Sequence, residues 1–321
     1  MSQSLVSVII PCYNAEKWVG EAIQSCLEQA YRPIEIIIID DGSTDSSLTI
    51  IKHYGERYSD LIRYESQPNR GAPSARNRGF ELSRGDYIQW LDSDDRMARG
   101  KLQCQVSILQ NDKADVVTGW WKNLIEEKPG LFVEGPVREP LLTDDPVASL
   151  IDDDGWAPLS SYLMTRQTVD TVSGWNEKLT SVQDVDFILR IAMNGARFLV
   201  AQYLCGYYRR PLTATVSTRD KTVFMQNCFD IYDRVYHFYQ GGGWKEEYGR
   251  MLSRRYGWLA RYFFEHDRVM FERCMKQIQL FEPHYVPEGP SQLRWLTRIL
   301  GYRNAEQIAL WYRMTKGLVF K

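Results

Sequence analysis

The chain has 321 residues, enough for one large domain or two modest ones. Hydrophobic residues make up 44% and charged residues 25%, close to the soluble globular average, which excludes disordered, collagen-like and disulfide-scaffold classes. The net charge of −2 conceals a split: residues 1–217 hold 22 Lys and Arg against 30 Asp and Glu, and residues 218–321 hold 17 against 11. An acidic front followed by a basic, Trp- and Tyr-rich tail argues against a nucleic-acid binder, and leaves the tail open to an anionic partner or a membrane surface.

Leu5 to Ile10 is a continuous β-branched run, the pattern of a strand buried on both faces. Asn14 then offers a helix N-cap, and Val19, Ile23, Cys26, Leu27 and Ala30 recur at helical spacing until Pro33. Ile34 to Ile39 predicts a second buried strand, closing on Asp40-Asp41-Gly42-Ser43, and Leu48, Ile51 and Tyr54 mark another helix. A strand over Leu61–Tyr64, a helix from Pro73 to Leu82 and a strand over Tyr87–Leu91 continue the alternation. That order predicts an α/β fold with an open, mostly parallel sheet covered by helices.

Beyond Asp95 the rhythm loosens. Leu102, Val106 and Leu109 predict a helix, Asp115 to Trp120 a strand, and residues 122–145 a loop or hairpin. Val185, Ile188, Leu189 and Ala192 predict a short amphipathic helix ending at Gly195. From about Phe224 the chain becomes helical, aromatic and basic, broken at Gly241-Gly242-Gly243 and at Pro283, Pro287 and Pro290. The six cysteines (Cys12, Cys26, Cys104, Cys205, Cys228, Cys274) form no C-x-x-C pair, so reduced thiols and a cytoplasmic location are expected. The N-terminal apolar run is too short for a signal peptide, and no stretch reaches the roughly 18 apolar residues of a membrane span.

The acids at the strand ends carry the chemistry. Asp40 and Asp41 follow one strand and Asp92, Asp94 and Asp95 another, and ligands of open parallel sheets bind beyond the carboxyl ends of the strands. Crowded carboxylates repel each other unless a cation or hydrogen-bond donors meet them, and an Asp-x-Asp turn offers hard oxygen ligands to Mg²⁺ or Mn²⁺. Helix capping accounts for Asp45 but needs only one acid, not the three of Asp92-Ser93-Asp94-Asp95.

Four segments in register, Val-Ile-Ile-Pro-Cys-Tyr-Asn, Ile-Asp-Asp-Gly-Ser-Thr-Asp, Gly-Ala-Pro-Ser-Ala-Arg-Asn-Arg-Gly and Tyr-Ile-Gln-Trp-Leu-Asp-Ser-Asp-Asp, closely resemble the nucleotide-sugar glycosyltransferases of family 2, with the GT-A fold. The resemblance covers residues 4–95 strongly. It continues faintly through Gly174-Trp175-Asn176-Glu177 and Gln183-Asp184-Val185-Asp186 to about Ser217, and stops there. It implies a GT-A catalytic domain over 1–217 and a helical, basic, aromatic-rich region over 218–321. It further implies a nucleoside pocket of Pro11, Tyr13 and Asp41, with Asp40 sharing the task, and Arg76 facing the donor diphosphate beside Asp92. Mn²⁺ or Mg²⁺ would be held among Asp92, Asp94 and Asp95, with Asp94 and Asp95 as an alternative working pair.

The family's catalytic base is the aspartate of a Glu-Asp pair, which here reads Gln183-Asp184, so Asp184 is the expected base and Asp186 its competitor. The loss of the glutamate removes a negative neighbour. Trp156 and Trp175 are open between sugar stacking and core packing, and Arg209 and Arg210 between a segment closing over the diphosphate and a solvated charge pair. The implied reaction is inverting transfer of a sugar from a nucleotide-diphosphate donor, UDP-linked by resemblance, to a carbohydrate or lipid-linked acceptor in surface polysaccharide or glycolipid synthesis. The alternatives are a sugar-phosphate nucleotidyltransferase, which would want a Gly-rich basic loop where Pro11-Cys12-Tyr13-Asn14 stands, and a catalytically inactive nucleotide-sugar-binding module.

In the tail, Leu293, Leu296 and Leu300 line one helical face with Trp295 and Ile299 beside it, and Arg294 and Arg298 lie on another. A further helix is expected from Asn304, capped with Gln307, presenting Ile308, Trp311, Tyr312 and Thr315 before Lys316 and Lys321. Such helices serve either peripheral contact at the inner face of a membrane or packing, including homo-oligomer formation.

Overall fold

The computed structural model describes residues 3–212, 220–288 and 290–319, with side chains described as far as Tyr312. It divides into two compact units, 1–219 and 220–321. The expected boundary at 217/218 falls among residues 213–219, outside the described residues, as do the side chains of Thr315 and Lys316 and the whole of Lys321.

The described residues of the first unit form nine strands: β1 (Val6–Cys12), β2 (Ile34–Asp40), β3 (Ile62–Ser66), β4 (Tyr87–Trp90), β5 (Arg96–Met97), β6 (Val116–Lys128), β7 (Leu131–Arg138), β8 (Leu163–Thr165) and β9 (Phe198–Arg210). They lie in the order β3-β2-β1-β4-β8-β6-β9-β5, with β7 on β6. β3, β2, β1 and β4 run parallel, as does the long β6/β9 pair, and β8 joins the halves by antiparallel pairing to β4 and β6. Alternation in the buried strands sorts the core onto two faces. Val6, Val8, Ile10, Ile36 and Ile38 meet Val19, Ala22, Ile23 and Cys26 of α1 (Val19–Leu27), while Ile37 and Ile39 meet Ala75 of α3 (Ala72–Leu82).

The predicted elements α2 (Ser47–Arg57), α4 (Lys101–Asp112) and α7 (Gln183–Met193) form close to their expected bounds, α5 (Pro146–Ile151) and α6 (Arg166–Asp170) are additional, and residues 116–138 make the β6/β7 hairpin. One local expectation fails. Asn14 caps no helix: it sits at φ 49°, its side-chain oxygen accepts the Thr44 N–H at 2.8 Å, and α1 starts five residues later. Its backbone N–H also donates to Ser43 Oγ at 3.0 Å, so Asn14 is tied to the turn after β2 instead.

The second unit is helical: α8 (Lys221–Tyr239), α9 (Glu246–His266), α10 (Arg268–Phe281), α11 (Ser291–Leu300) and α12 (Tyr302–Val319). Its core gathers Phe229, Tyr256, Phe263, Phe271 and Cys274. Asp220 and Asp267 cap α8 and α10, each with one carboxylate oxygen accepting two backbone N–H groups. α12 begins at Tyr302, two residues before the expected Asn304, with Ala305 N donating to Gly301 O at 3.1 Å, and the Tyr302 hydroxyl donates to Gly257 O at 3.0 Å. Among the described residues no helix is long and apolar enough to cross a membrane.

Candidate active site

The carboxyl ends of β1, β2 and β4 bring the sequence motifs to one edge of the sheet. Pro11 is buried within β1, paired with Ile39, so it shapes the edge by its backbone. Tyr13 stands just beyond and is 48% exposed, an aromatic face offered to solvent. Asp40 and Asp41 are both buried. Asp40 accepts the Ser66 hydroxyl at 2.8 Å and the Ser43 N–H at 3.3 Å. Asp41 accepts three donors from one loop: Gln67 Nε2 at 2.7 Å, Arg70 N at 3.0 Å and Gly71 N at 2.7 Å. Gly42 allows this, since at φ +74° a Cβ would lie 2.9 Å from Asn69 N. Asp41 therefore braces the 67–71 loop, and its carboxylate is already well supplied with donors.

The turn after β4 is different. Asp92 receives the Arg76 guanidinium, Nη2 to Oδ1 at 2.7 Å. Asp94 and Asp95 are crowded: burial, then the neighbouring carboxylates, raises Asp94 to about 6 and Asp95 well above the carboxylate range. Asp95 is 1% exposed, accepting Arg209 N at 2.9 Å and the Ser160 hydroxyl at 3.4 Å. It faces the protein interior, and among the described residues no three His, Cys, Asp or Glu side chains converge on a metal position. Of the three candidate ligands, Asp92 and Asp94 are partly exposed. Two hard oxygen donors at a turn could hold a divalent cation completed by substrate oxygens.

Arg76 is a buried tie rather than a free guanidinium. Besides Asp92 it donates Nη1 to Gln183 Oε1 at 3.0 Å, and it lies 4.3 Å over the Trp175 ring. Gln183 in turn donates Nε2 to Leu179 O at 3.0 Å. A glutamate there could accept from Arg76 but not donate to Leu179, so the departure from Glu-Asp has a local use. Trp175 is core: 3% exposed and stacked on Phe187 with centroids 4.1 Å apart. Its turn is fixed by Asn77, whose Oδ1 accepts the Trp175 N–H at 2.7 Å and would lie 2.7 Å from a Cβ on Gly174.

Asp184 occupies the first turn of α7, lining a cleft with Trp156, Tyr162, Val185 and Ile188. Trp156 Nε1 donates to its Oδ2 at 3.1 Å. Burial raises the pKa of Asp184, with the Asp92 charge adding to the rise, while the Trp156 N–H favours the ionised form. Asp186 has another task, a 2.9 Å ion pair with Arg190 in which it is 2% exposed. Arg209 and Arg210 are not a solvated pair. Arg209 is buried, donating Nε to Asp94 O at 2.7 Å and Nη2 to Glu21 at 2.9 Å while its guanidinium covers Trp18 at 4.0 Å. Arg210 packs over Tyr208. Trp156, set edge-on to Trp121 and Tyr208, is the contributor that sequence spacing could not reveal, because 28 residues and several elements separate it from Asp184.

The profile of glycosyl transferase family 2 matches residues 7–130. An uncharacterised glycosyltransferase of Haemophilus influenzae is 46% identical over 112 residues, 35% of this chain and 45% of that one. The glycosyltransferase GlyG of Streptococcus pneumoniae is 37% identical over 129 residues, 40% and 42% of the two chains. The matched stretches span under half the length of these curated relatives. Among solved structures, S. aureus TarS 1–349 in complex with UDP-GlcNAc gives a TM-score of 0.69 at 18% identity, over 97% of this chain and 92% of that one. The mannosyltransferase PcManGT of Pyrobaculum calidifontis, in complex with GDP-Man and Mn²⁺, gives 0.58 at 16% identity, over 96% and 87%. Residues 7–130 thus match the glycosyl transferase family 2 profile, and the chain has a mixed α/β fold similar to that of GT-A glycosyltransferases.

Proposed function

We propose that the protein transfers a sugar from a nucleoside-diphosphate donor, UDP-linked in our reading, to an acceptor hydroxyl with inversion at the anomeric carbon. The observation that carries this is Asp184: a carboxylate raised by burial, aimed by the Trp156 N–H, and close enough to the acid turn to feel the Asp92 charge. A general base works best when its pKa approaches the working pH, and burial supplies here the tuning that the absent glutamate cannot. Asp184 would take the proton of the acceptor hydroxyl as that oxygen attacks the anomeric carbon from the face opposite the leaving diphosphate.

Tyr13 offers its ring to the nucleoside, and the loop braced by Asp41 forms the adjoining wall. Asp92 and Asp94 are the residues that would hold Mn²⁺ or Mg²⁺, which when bound supplies charge neutralisation at the donor diphosphate. Arg76 orients Asp92 from behind and ties it to the residue preceding Asp184, so the leaving-group side and the base share one rigid link. An acceptor in surface polysaccharide or glycolipid synthesis, carbohydrate or lipid-linked, is our reading of the pathway. A reducing compartment such as the cytoplasm accords with six free cysteines, five of them buried.

The test is Asp184→Asn. The amide keeps size and position but cannot accept the proton, so transfer is expected to fall roughly 100- to 10,000-fold while donor affinity holds. Product from the intact enzyme should carry the inverted anomer by NMR. Retained configuration, or near-normal turnover in the variant, would overturn the reading.

A further inference from the structure

Helices α11 and α12 turn a surface outward that the helical unit leaves uncovered. On α11, Leu293 and Thr297 are buried, and Thr297 donates its hydroxyl to Leu293 O at 2.8 Å. Trp295 and Ile299 lie roughly 160° around the helix from that face. They are 62% and 58% exposed. Arg294 and Arg298 form a third row about 100° from either. On α12, Tyr302, Ala305 and Glu306 pack inward, while Ile308, Trp311 and Tyr312 are exposed, Trp311 at 67%. Residues 290–321 contain six basic residues and a single acid. That acid is Glu306, fully buried. Arg303 bridges to Glu272 of α10, whereas Arg294 and Arg298 have no acidic partner among the described residues.

We propose that α11 and α12 dock the protein peripherally on an anionic lipid bilayer. Trp295, Ile299 and Trp311 enter the boundary between headgroups and acyl chains, and Arg294 and Arg298 meet the acidic headgroups. Tryptophan favours that boundary, and an exposed apolar row flanked by cations is what an interfacial helix requires. Charge decides between a bilayer and a second copy of the chain. A two-fold interface sets a patch against itself, and this patch holds no exposed acid to meet Arg294 and Arg298. An acidic leaflet supplies that missing charge.

The experiment is sedimentation of the full chain with phosphatidylcholine vesicles, with and without phosphatidylglycerol, at low and high salt. Binding is expected only with phosphatidylglycerol and is expected to fade at high salt. Arg294→Gln with Arg298→Gln should weaken partitioning roughly 30-fold. Trp295→Ser with Ile299→Ser should weaken it at low salt as well. All four side chains are exposed, so an unchanged thermal transition certifies the fold of the variants. Equal sedimentation with both vesicle types, none with either, or wild-type partitioning of the arginine variant would each overturn the proposal. A dimer in light scattering that the Trp295/Ile299 variant breaks, with phosphatidylglycerol vesicles left unbound, would give the face to a second copy and overturn it too.

Discussion

Two acid clusters stand at the same edge of the sheet, and the protein treats them in opposite ways. After β2, Asp40 and Asp41 are surrounded by donors: two hydroxyl or amide groups on the first, three N–H groups on the second. After β4, Asp94 and Asp95 are pressed together with Asp92, and burial and mutual repulsion push both upward. A carboxylate supplied with donors fixes a loop. One crowded by other carboxylates is, in the function proposed above, a place for a cation. The composition of the two segments is nearly the same, so the difference lies in what the rest of the fold aims at them.

The largest effect that would sharpen this contrast is in activity. If Asp94 holds the metal as proposed, Asp94→Asn should lower metal-dependent transfer at least about 100-fold, a loss of several kcal/mol at the leaving group. It should leave the unfolding midpoint unchanged or slightly raised, because it relieves repulsion. Undiminished Mn²⁺-dependent nucleotide affinity by calorimetry would remove Asp94 from the metal site. The converse substitution, Asp41→Asn, should cost about 2 kcal/mol of stability, as the amide turns a donor toward backbone N–H groups that need an acceptor. Denaturant unfolding measures it, and a loss no larger than that of Asp94→Asn would break the comparison.

Acidity gives a smaller effect of defined sign. With Asp94 at about 6, nucleotide affinity in the presence of Mn²⁺ should fall by up to about tenfold for each pH unit below that point. Unfolded aspartate releases its proton near 3.9, so between these values the native state binds more protons and stability declines as pH rises through the window. Asp94→Asn should flatten that slope. Smallest of all, Gln183→Glu should alter stability by about 1 kcal/mol, since it loses the bond to Leu179 O while strengthening that to Arg76. If it instead draws Arg76 from Asp92, the change will appear as weaker metal-dependent nucleotide binding.

The buried strands and the helices between them were legible because each carries its own period. Continuous Ile and Val in β1 and β2, and apolar residues at helical spacing in α1, α2 and α7, announce their environment without help. The acids after β2 and β4 were legible as a group for the same reason: each follows a strand that ends at one edge. β9 was not. Its thirteen residues mix aromatic, apolar and basic side chains, and only parallel pairing to β6, antiparallel pairing to β5 and the burial of Arg209 make it a strand. The resemblance to family 2 faded near residue 217, whereas the likeness to solved structures extends over 97% of the chain, helical unit included, because packing preserves a helix arrangement that sequence identity of 18% no longer records.

By itself the sequence determined which segments are buried, which edge of the sheet gathers carboxylates, and that Asp184 opens an amphipathic helix. Those facts depend on local period and composition. Only the tertiary structure decided what each charge faces. Asp95 turns inward to Arg209 N, Asp41 to the loop at Gly71, Arg76 to Asp92 and Gln183, and Trp156 reaches Asp184 across the fold. A side chain's partners lie tens of residues away, so the orientation that separates a ligand from a brace is set by the packing of whole elements and is not written in the motif that carries it.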